Sequence, residues 1–435
     1  SLDIMHDRLV KVAVFLLFVP IYLFAQEFRY SKIKNIPDFS FAPHVFTGLD
    51  ILEQLDIAPL KGKKIAVLCN QTAVNREGEH LLEILASNGI EVKTLFAPEF
   101  GLFGSGNKRL KLFTKEKNIE PTTGARIINL FGEHIYPPDE SIIGIDLILV
   151  DIQDTGIRYS TFITTITKLM ETASKNNIPV LILDRPNPLR GDVIDGPVVR
   201  PAYQSFEGYH LVPIRHGYTI GEFILMVNEM GWAKDLARVD LTVIPMANWK
   251  RDHWFNETGL PWVQPTPDIS DLETLLAFSG MALLKGTNLN TGHGTDKPYL
   301  RVGAPWLSGH HLMEKLNALS LSGVRFSVIK YKPMHRQGMK FIPLYLDEIC
   351  NGIEIEITDR NEFDPLAIST AIIITTKYLY PREFQWASNN YIDKLFGSNI
   401  LRIFTAQGKP ADYLPPLWFH DILRFSEFRQ RFHLY

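Results

Sequence analysis

Between residues 64 and 184 the chain alternates apolar runs with helical stretches, and that rhythm restricts the fold more than any other feature. Lys64 to Cys69, Val92 to Phe96, Ala125 to Leu130, Ile145 to Ile152 and Pro179 to Asp184 are too evenly apolar for strands with one face in water. Between them, Glu79 to Ser87, closed by Asn88-Gly89, and Thr161 to Lys175 carry helical periodicity. Strands buried on both faces and joined through helices imply a parallel sheet covered on both sides, a Rossmann-like half. The rest reads otherwise: short strands at Leu241 to Pro245, Arg325 to Lys330 and Ile353 to Thr358, a helix over Pro365 to Tyr378, and turns at Ser322-Gly323, Asn351-Gly352 and Ser398-Asn399. At 435 residues the chain exceeds one simple core. The expected fold class is α/β: a Rossmann-like parallel-sheet domain over 48–245, a C-terminal α+β domain over 246–435, and an active-site cleft between them.

The N-terminus has its own plan. Arg8 and Lys11 flank the start of the apolar stretch Leu9 to Ala25, which Pro20 interrupts and Gln26-Glu27 follows. This order reads residues 1–26 as a signal peptide cut after Ala25, since a membrane span wants about 20 apolar residues. Residues 27–47 then read as a polar linker. A periplasmic or secreted protein is expected, with no stable membrane insertion once the signal is removed.

Several function classes drop out. A formal charge of −3 offers no basic face for nucleic acid. The turn after the first strand, Asn70-Gln71-Thr72-Ala73-Val74-Asn75, lacks the glycines that let a backbone approach a pyrophosphate, so no dinucleotide is expected despite the fold. No Gly-x-Ser-x-Gly elbow is present, and His253, His293, His310 and His311 lack metal-ligand spacing. Cys69 and Cys350 define no scaffold; Cys69, ending an apolar strand, reads as a buried thiol. Neither metal nor cofactor is expected.

Polar residues gather where the first-half strands end, and those ends converge on one edge of a parallel sheet. Asn70 follows the first strand and Glu99, between Pro98 and Gly101, the second. Asp151, Gln153, Asp154 and Arg158 follow the central strand, and Arg185 and Asn187, held by Pro186 and Pro188, follow the next. Each has a plain alternative: Asp154 as a helix cap, Arg185 paired to a neighbouring carboxylate, Thr219 capping a helix from Gly221 with His216 structural beside it. So many ionisable groups on one rim nevertheless point to a ligand. From the second half, residues 286–295 add a glycine-punctuated polar loop with Asn288 and His293, and Trp254 to Trp262 reads as a sugar-stacking surface or as a plug at the domain junction. Carboxylate chemistry suits this inventory. A glycosidic bond needs an acid on its leaving oxygen and an anion, or a substrate acetamide, supporting the anomeric carbon, and Glu99, with Asp151 and Asp154 nearby on the rim, would meet that need.

Taken in order, Gly48-Leu-Asp50, Pro98-Glu99, Asp151-Ile-Gln-Asp-x-Gly-x-Arg158, Asp184-Arg-Pro-Asn-Pro188, Arg215-His-Gly-x-Thr219, Gly259-Leu-Pro-Trp262, Gly286-Thr-Asn288 and Gly303-Ala-Pro-Trp306 resemble the NamZ-type exo-β-N-acetylmuramidase family, long known as a domain of unknown function. The resemblance implies a bacterial, secreted, cofactor-free glycosidase that removes N-acetylmuramic acid from the ends of peptidoglycan fragments during cell-wall recycling, with Glu99 as general acid or acid/base. Peptidoglycan-derived saccharides are the expected partners, held by Asn70, Asp151, Gln153, Arg158, Arg185, Asn187, His216, Asn288 and His293, with Arg158 or Arg185 on the lactyl carboxylate. Departures are concentrated: the family's His after the Glu is Phe100, its Arg-Gly-Asp reads Phe103-Gly104-Ser105, its Glu before Gly-Thr-Asn is Lys285, its Gly-Arg-Gly holds His293, and its Pro-Phe-Glu ends as Pro298-Tyr299-Leu300. A catalytically impaired paralogue that binds cell-wall sugars is the alternative expectation.

Overall fold

The computed structural model describes residues 30–32, 38–39, 42–104, 118–132, 134–336, 339, 341–413 and 418–435. The expected signal peptide and Ser105 lie outside them. Seven strands, β1 (Tyr30–Lys32), β2 (Lys64–Cys69), β3 (Glu91–Ala97), β4 (Arg126–Asn129), β5 (Leu147–Asp151), β6 (Val180–Leu183) and β7 (Leu241–Ile244), form one sheet in the order β1-β7-β6-β5-β2-β3-β4, every pairing parallel. The chain runs outward from β2 through β3 to β4, then returns to the other side of β2 with β5. This reversal is the switch point at which open α/β sheets leave a crevice beyond the strand ends. Helices α1 (Gly48–Gln54), α2 (Leu81–Ser87), α3 (Thr161–Lys175) and α4 (Ile220–Met230) cover the sheet.

The apolar runs behave as their composition requires. All five residues of β5 and all four of β6 are buried, with separate cores on the two sheet faces, one around Ile148, Val150 and Phe162 and the other around Leu49, Val67 and Leu149. Cys69 and Cys350 are buried free thiols. The stretch read as a linker does more than connect. β1 pairs with β7 at the sheet edge, and Thr47 caps α1 reciprocally with Asp50. Short polar strands carry little periodicity, which is why this one escaped notice.

The second half packs α5 (Leu272–Met281), α6 (Gly309–Asn317) and α7 (Pro365–Leu379) with an antiparallel sheet of β8 (Arg301–Ala304), β9 (Val324–Tyr331) and β10 (Cys350–Ile357), ordered β8-β10-β9. β8 was not expected from the sequence. Pro365 opens α7 at a position that needs no amide hydrogen, and Asp364 caps it. After α8 (Tyr391–Phe396) and α9 (Ile400–Ala406), α10 (Phe419–Arg429) returns to the first half: Phe425 and Phe432 join the core beside α3 and α4. Trp254 is buried at the junction of the halves, its indole N–H donating to Asn361 at 3.1 Å, so it acts as a plug.

At the ends of the two central strands, Asp151 and Arg185 form a bidentate pair at 2.5 and 2.8 Å, both side chains almost fully enclosed. Removing one member strands the other charge away from water. Arg185→Met is therefore expected to lower the unfolding free energy in urea by about 3–5 kcal/mol, and the apolar double replacement Asp151→Leu with Arg185→Met to recover a substantial part of that loss.

Candidate active site

Glu99 stands just beyond β3, where Pro98 and a turn through Phe100 and Gly101 end the strand. Phe100 has φ +70°, left-handed backbone that costs a bulky side chain about 1–3 kcal/mol, and Gly101 continues at +80°. This turn aims Glu99 at the start of α3, where the Thr161 hydroxyl donates to Oε2 at 2.8 Å. The carboxyl opens into a chamber of about 250 Å³. Its walls come from both halves: Thr155, Tyr159 and Ser160 from the loop after β5, Glu207 from a later loop, and Asp268, Phe278, Lys285, Tyr299 and Tyr391 from the second half. A wider chamber of about 560 Å³ adjoins it, bounded by Asn288, His293, Phe341 and Trp386. Glu207, Lys285, Phe341 and Tyr391 border both and form the neck.

The neck is strongly polar. Tyr391 donates its hydroxyl to Glu207, and burial followed by that carboxylate drives the phenol well above its usual range. Burial opposes the Lys285 ammonium, but Tyr299, Glu207 and Asp268 outweigh it, and its pKa lies above the ordinary lysine value. Its Nζ sits 5.4 and 5.5 Å from the ring centres of Phe278 and Tyr299, within cation–π range. Tyr299, like Phe100, is an aromatic residue with positive φ, here +65°. Two strained aromatic turns thus face one cavity.

Of the residues expected to act on substrate, Glu99, Asn288 and His293 border these chambers. Asn288 meets the wider one while its amide pairs with the Glu383 carbonyl and the Gln385 N–H, both at 2.9 Å. His293 Nδ1 lies 2.6 Å from the Thr291 hydroxyl and Nε2 3.5 Å from the Asp268 carboxylate. The remaining residues support the rim from behind. Asp154, the expected second catalytic carboxylate, accepts from the Gly156 N–H at 2.8 Å and the Ser160 hydroxyl at 2.6 Å, and burial raises its pKa. It does not face the chamber; it fixes the turn that presents Ser160 and Thr161.

Arg158 is likewise committed. It donates to the carbonyls of Pro197, Val212 and Leu395 at 2.5, 2.9 and 2.7 Å, lacing the first half to α8, and desolvation lowers its pKa to about 10. Arg185 is held by Asp151 and the Val74 carbonyl. Neither guanidinium reaches the chamber, so the expectation that one meets a substrate carboxylate gives way. Asn70 and Asn187 close local turns through the Thr72 and Leu189 N–H groups. Asn187 also fills the space where a Cβ on Gly156, at φ +75°, would stand 2.3 Å from its Oδ1. Gln153 donates to the carbonyls of Asp154 and Pro186, both at 2.8 Å, beside a recess of about 10 Å³ that it shares with Arg185, room for one water. His216 accepts from the Tyr218 N–H through Nδ1 and packs edge-on to Phe223; burial lowers its pKa to about 3.

Glu207, Asp268 and Tyr391 went unnoticed in the sequence because they lie on loops and helix starts that no strand-end rule selects. Leu300, one of the departures, faces the second core rather than the cleft.

Family models agree with this architecture. One described as exo-β-N-acetylmuramidase NamZ, N-terminal, matches residues 65–273, and its C-terminal counterpart matches 276–435. The chain belongs to the NamZ exo-β-N-acetylmuramidase family. It is 33% identical over 394 residues to the peptidoglycan β-N-acetylmuramidase NamZ of Bacillus subtilis strain 168, covering 90% of this chain and 92% of that protein. Two crystal structures of DUF1343-family proteins from Bacteroides fragilis NCTC 9343 superpose with TM-scores of 0.81 and 0.70, each 27% identical and covering 90% of this chain and 99% of the other. The NamZ-family fold thus accounts for both halves and for the cleft between them.

The neutral, enclosed His216 gives a pH signature. Its folded pKa lies below the unfolded value of 6.5, so the stability it contributes is complete above pH 6.5 and is lost as pH falls toward 3. Asp184 and Glu222, with pKa values raised by burial to about 6 and about 7, act in the opposite sense, so the contrast must be read against a variant. Between pH 7 and pH 5, His216→Asn is expected to gain about 2 kcal/mol relative to the parent protein in chemical denaturation, because Asn keeps an acceptor for Tyr218 without a proton to take up.

Proposed function

We propose that this protein is an exported glycoside hydrolase that releases terminal N-acetylmuramic acid from peptidoglycan fragments, with Glu99 as the proton donor to the leaving oxygen. Family membership and the B. subtilis relative support the broader part of this reading, a glycosidase acting on peptidoglycan. The finer part is carried by one observation: Glu99 opens into a two-domain chamber while a neutral hydroxyl donor on α3 fixes its orientation. A proton donor has to be held where its carboxyl reaches the cleft, and the Thr161 hydroxyl contributes to that placement.

Asp154 lies behind the turn, accepting from Gly156 and Ser160, which supports a second carboxylate elsewhere. The anion that supports positive charge at the anomeric carbon is then sought among the chamber's own carboxylates, Glu207 under the Tyr391 hydroxyl and Asp268 beside His293. The substrate's acetamide could serve instead. Export, and with it a periplasmic or secreted location, rests on the positive, apolar, then polar order of residues 8–27.

Glu99→Gln is expected to lower the rate of muramic acid release from a muramyl-glucosamine disaccharide by roughly 10²–10⁴-fold, the usual worth of a positioned acid. Calorimetry should show disaccharide binding retained. Full activity in that variant would remove Glu99 from the mechanism. A second reading, a wall-sugar binding protein with impaired catalysis, is favoured by Phe100 standing where the resemblance implies histidine. Fragment binding without turnover anywhere between pH 4 and 9 would establish it instead.

A further inference from the structure

Muramic acid differs from the glucosamine it alternates with by a lactyl ether, whose carboxylate is free once no peptide is attached. A site selective for that acid needs a cation on its wall. Arg158 and Arg185 are spent on carbonyls and on Asp151 behind the wall. Among the described residues bordering the two chambers, Lys285 is the only lysine or arginine.

Three features make Lys285 more than a chance surface charge. It lies in the neck common to both chambers, so a sugar bridging them passes its ammonium. It has no ion-pair partner within 4 Å among the described residues; of the nearby carboxylates, Glu207 accepts from Tyr391 and Asp268 lies 3.5 Å from His293 Nε2. Its ammonium rests near the Phe278 and Tyr299 rings, which restrict the side chain without neutralising it. Tyr299, through its charge and a hydrogen bond, and then Glu207 and Asp268 raise its pKa against the cost of burial, so the side chain stays a cation.

We infer that Lys285 is a specificity-determining residue whose ammonium pairs with the lactyl carboxylate of the muramyl unit, selecting the free acid over its amide. This rests on the muramidase reading above and adds to it. Peptide-bearing muramic acid has that carboxyl tied up as an amide and presents no anion to Lys285.

The test compares the full-length protein with Lys285→Met and Lys285→Arg on two aryl β-glycosides, N-acetylmuramic acid and its lactamide, with calorimetry of free N-acetylmuramic acid and its lactamide alongside. A charge-assisted hydrogen bond predicts a KM preference for the acid of roughly 10- to 100-fold in the parent protein. In Lys285→Met that preference should collapse toward unity with kcat changed less than KM, and Lys285→Arg should restore part of it. Equal losses on acid and amide would give Lys285 a structural role and overturn the inference. A parent protein that turns over neither glycoside, yet binds the acid over the amide in a Lys285-dependent way, would sink the hydrolase reading and leave the inference standing. Binding that ignores both the lactyl charge and residue 285 would end the inference.

Discussion

A carboxylate with no water around it sits at the end of β6, and the loops of the first half are tied to it. Asp184 accepts from the Thr219 hydroxyl at 2.8 Å, the Gly221 N–H at 2.7 Å, the Tyr435 hydroxyl at 2.6 Å and the Arg185 N–H at 2.9 Å. Its own carbonyl receives the Gly48 N–H at the start of α1. Burying an ion costs several kcal/mol unless such donors are assembled, and these come from four separate parts of the chain. They coincide only when α1, α4 and the C-terminus have all docked. Even so, burial holds the Asp184 pKa up near 6, which shows that the donors offset desolvation only in part.

That constraint explains why polar residues crowd the strand ends. Asp151 with Arg185, Asp154 with Ser160, and Asn187 with Leu189 and Tyr218 are the same solution repeated: loops that leave a buried sheet edge need internal partners for their amides and carbonyls. The chamber lies one layer further out. Ser160 and Thr161 connect the two layers, since Asp154 orients the first and Glu99 receives a hydrogen bond from the second.

The parallel sheet was legible because apolar strands of four to eight residues, separated by periodic helices, admit few other folds. The place of Glu99 on the chamber wall was legible because a strand end beside a proline and a glycine lies on the edge where open α/β sheets leave a crevice. The roles of Arg158 and Arg185 were not, because a motif records that an arginine is needed and not whether it faces outward. Three carbonyls, from Pro197, Val212 and Leu395, claim Arg158, and their proximity exists only after α8 has folded against the first half. Glu207, Asp268 and Tyr391 stayed hidden for a related reason. A cleft between two domains takes its wall from whichever loops tertiary packing brings there, and local sequence carries no trace of that meeting.

The departures from the family pattern gain meaning from where they sit. Phe103 and Leu300, at two of the positions where the resemblance implies other residues, are buried in separate cores and serve packing. Phe100, Lys285, His293 and Tyr299 border the cleft instead, and they come from loops that approach it from opposite sides. Phe100 and Tyr299, two of the three positive-φ aromatics among the described residues, belong to this second group. Backbone strain of about 1–3 kcal/mol at each persists only where surrounding structure enforces it. An aromatic wall beside the acid and a cation in the neck instead alter the polarity on either side of Glu99 while leaving its backbone turn in place. Phe100 and Lys285 thus line the cleft on either side of Glu99, where a change of side chain alters polarity without requiring a new fold.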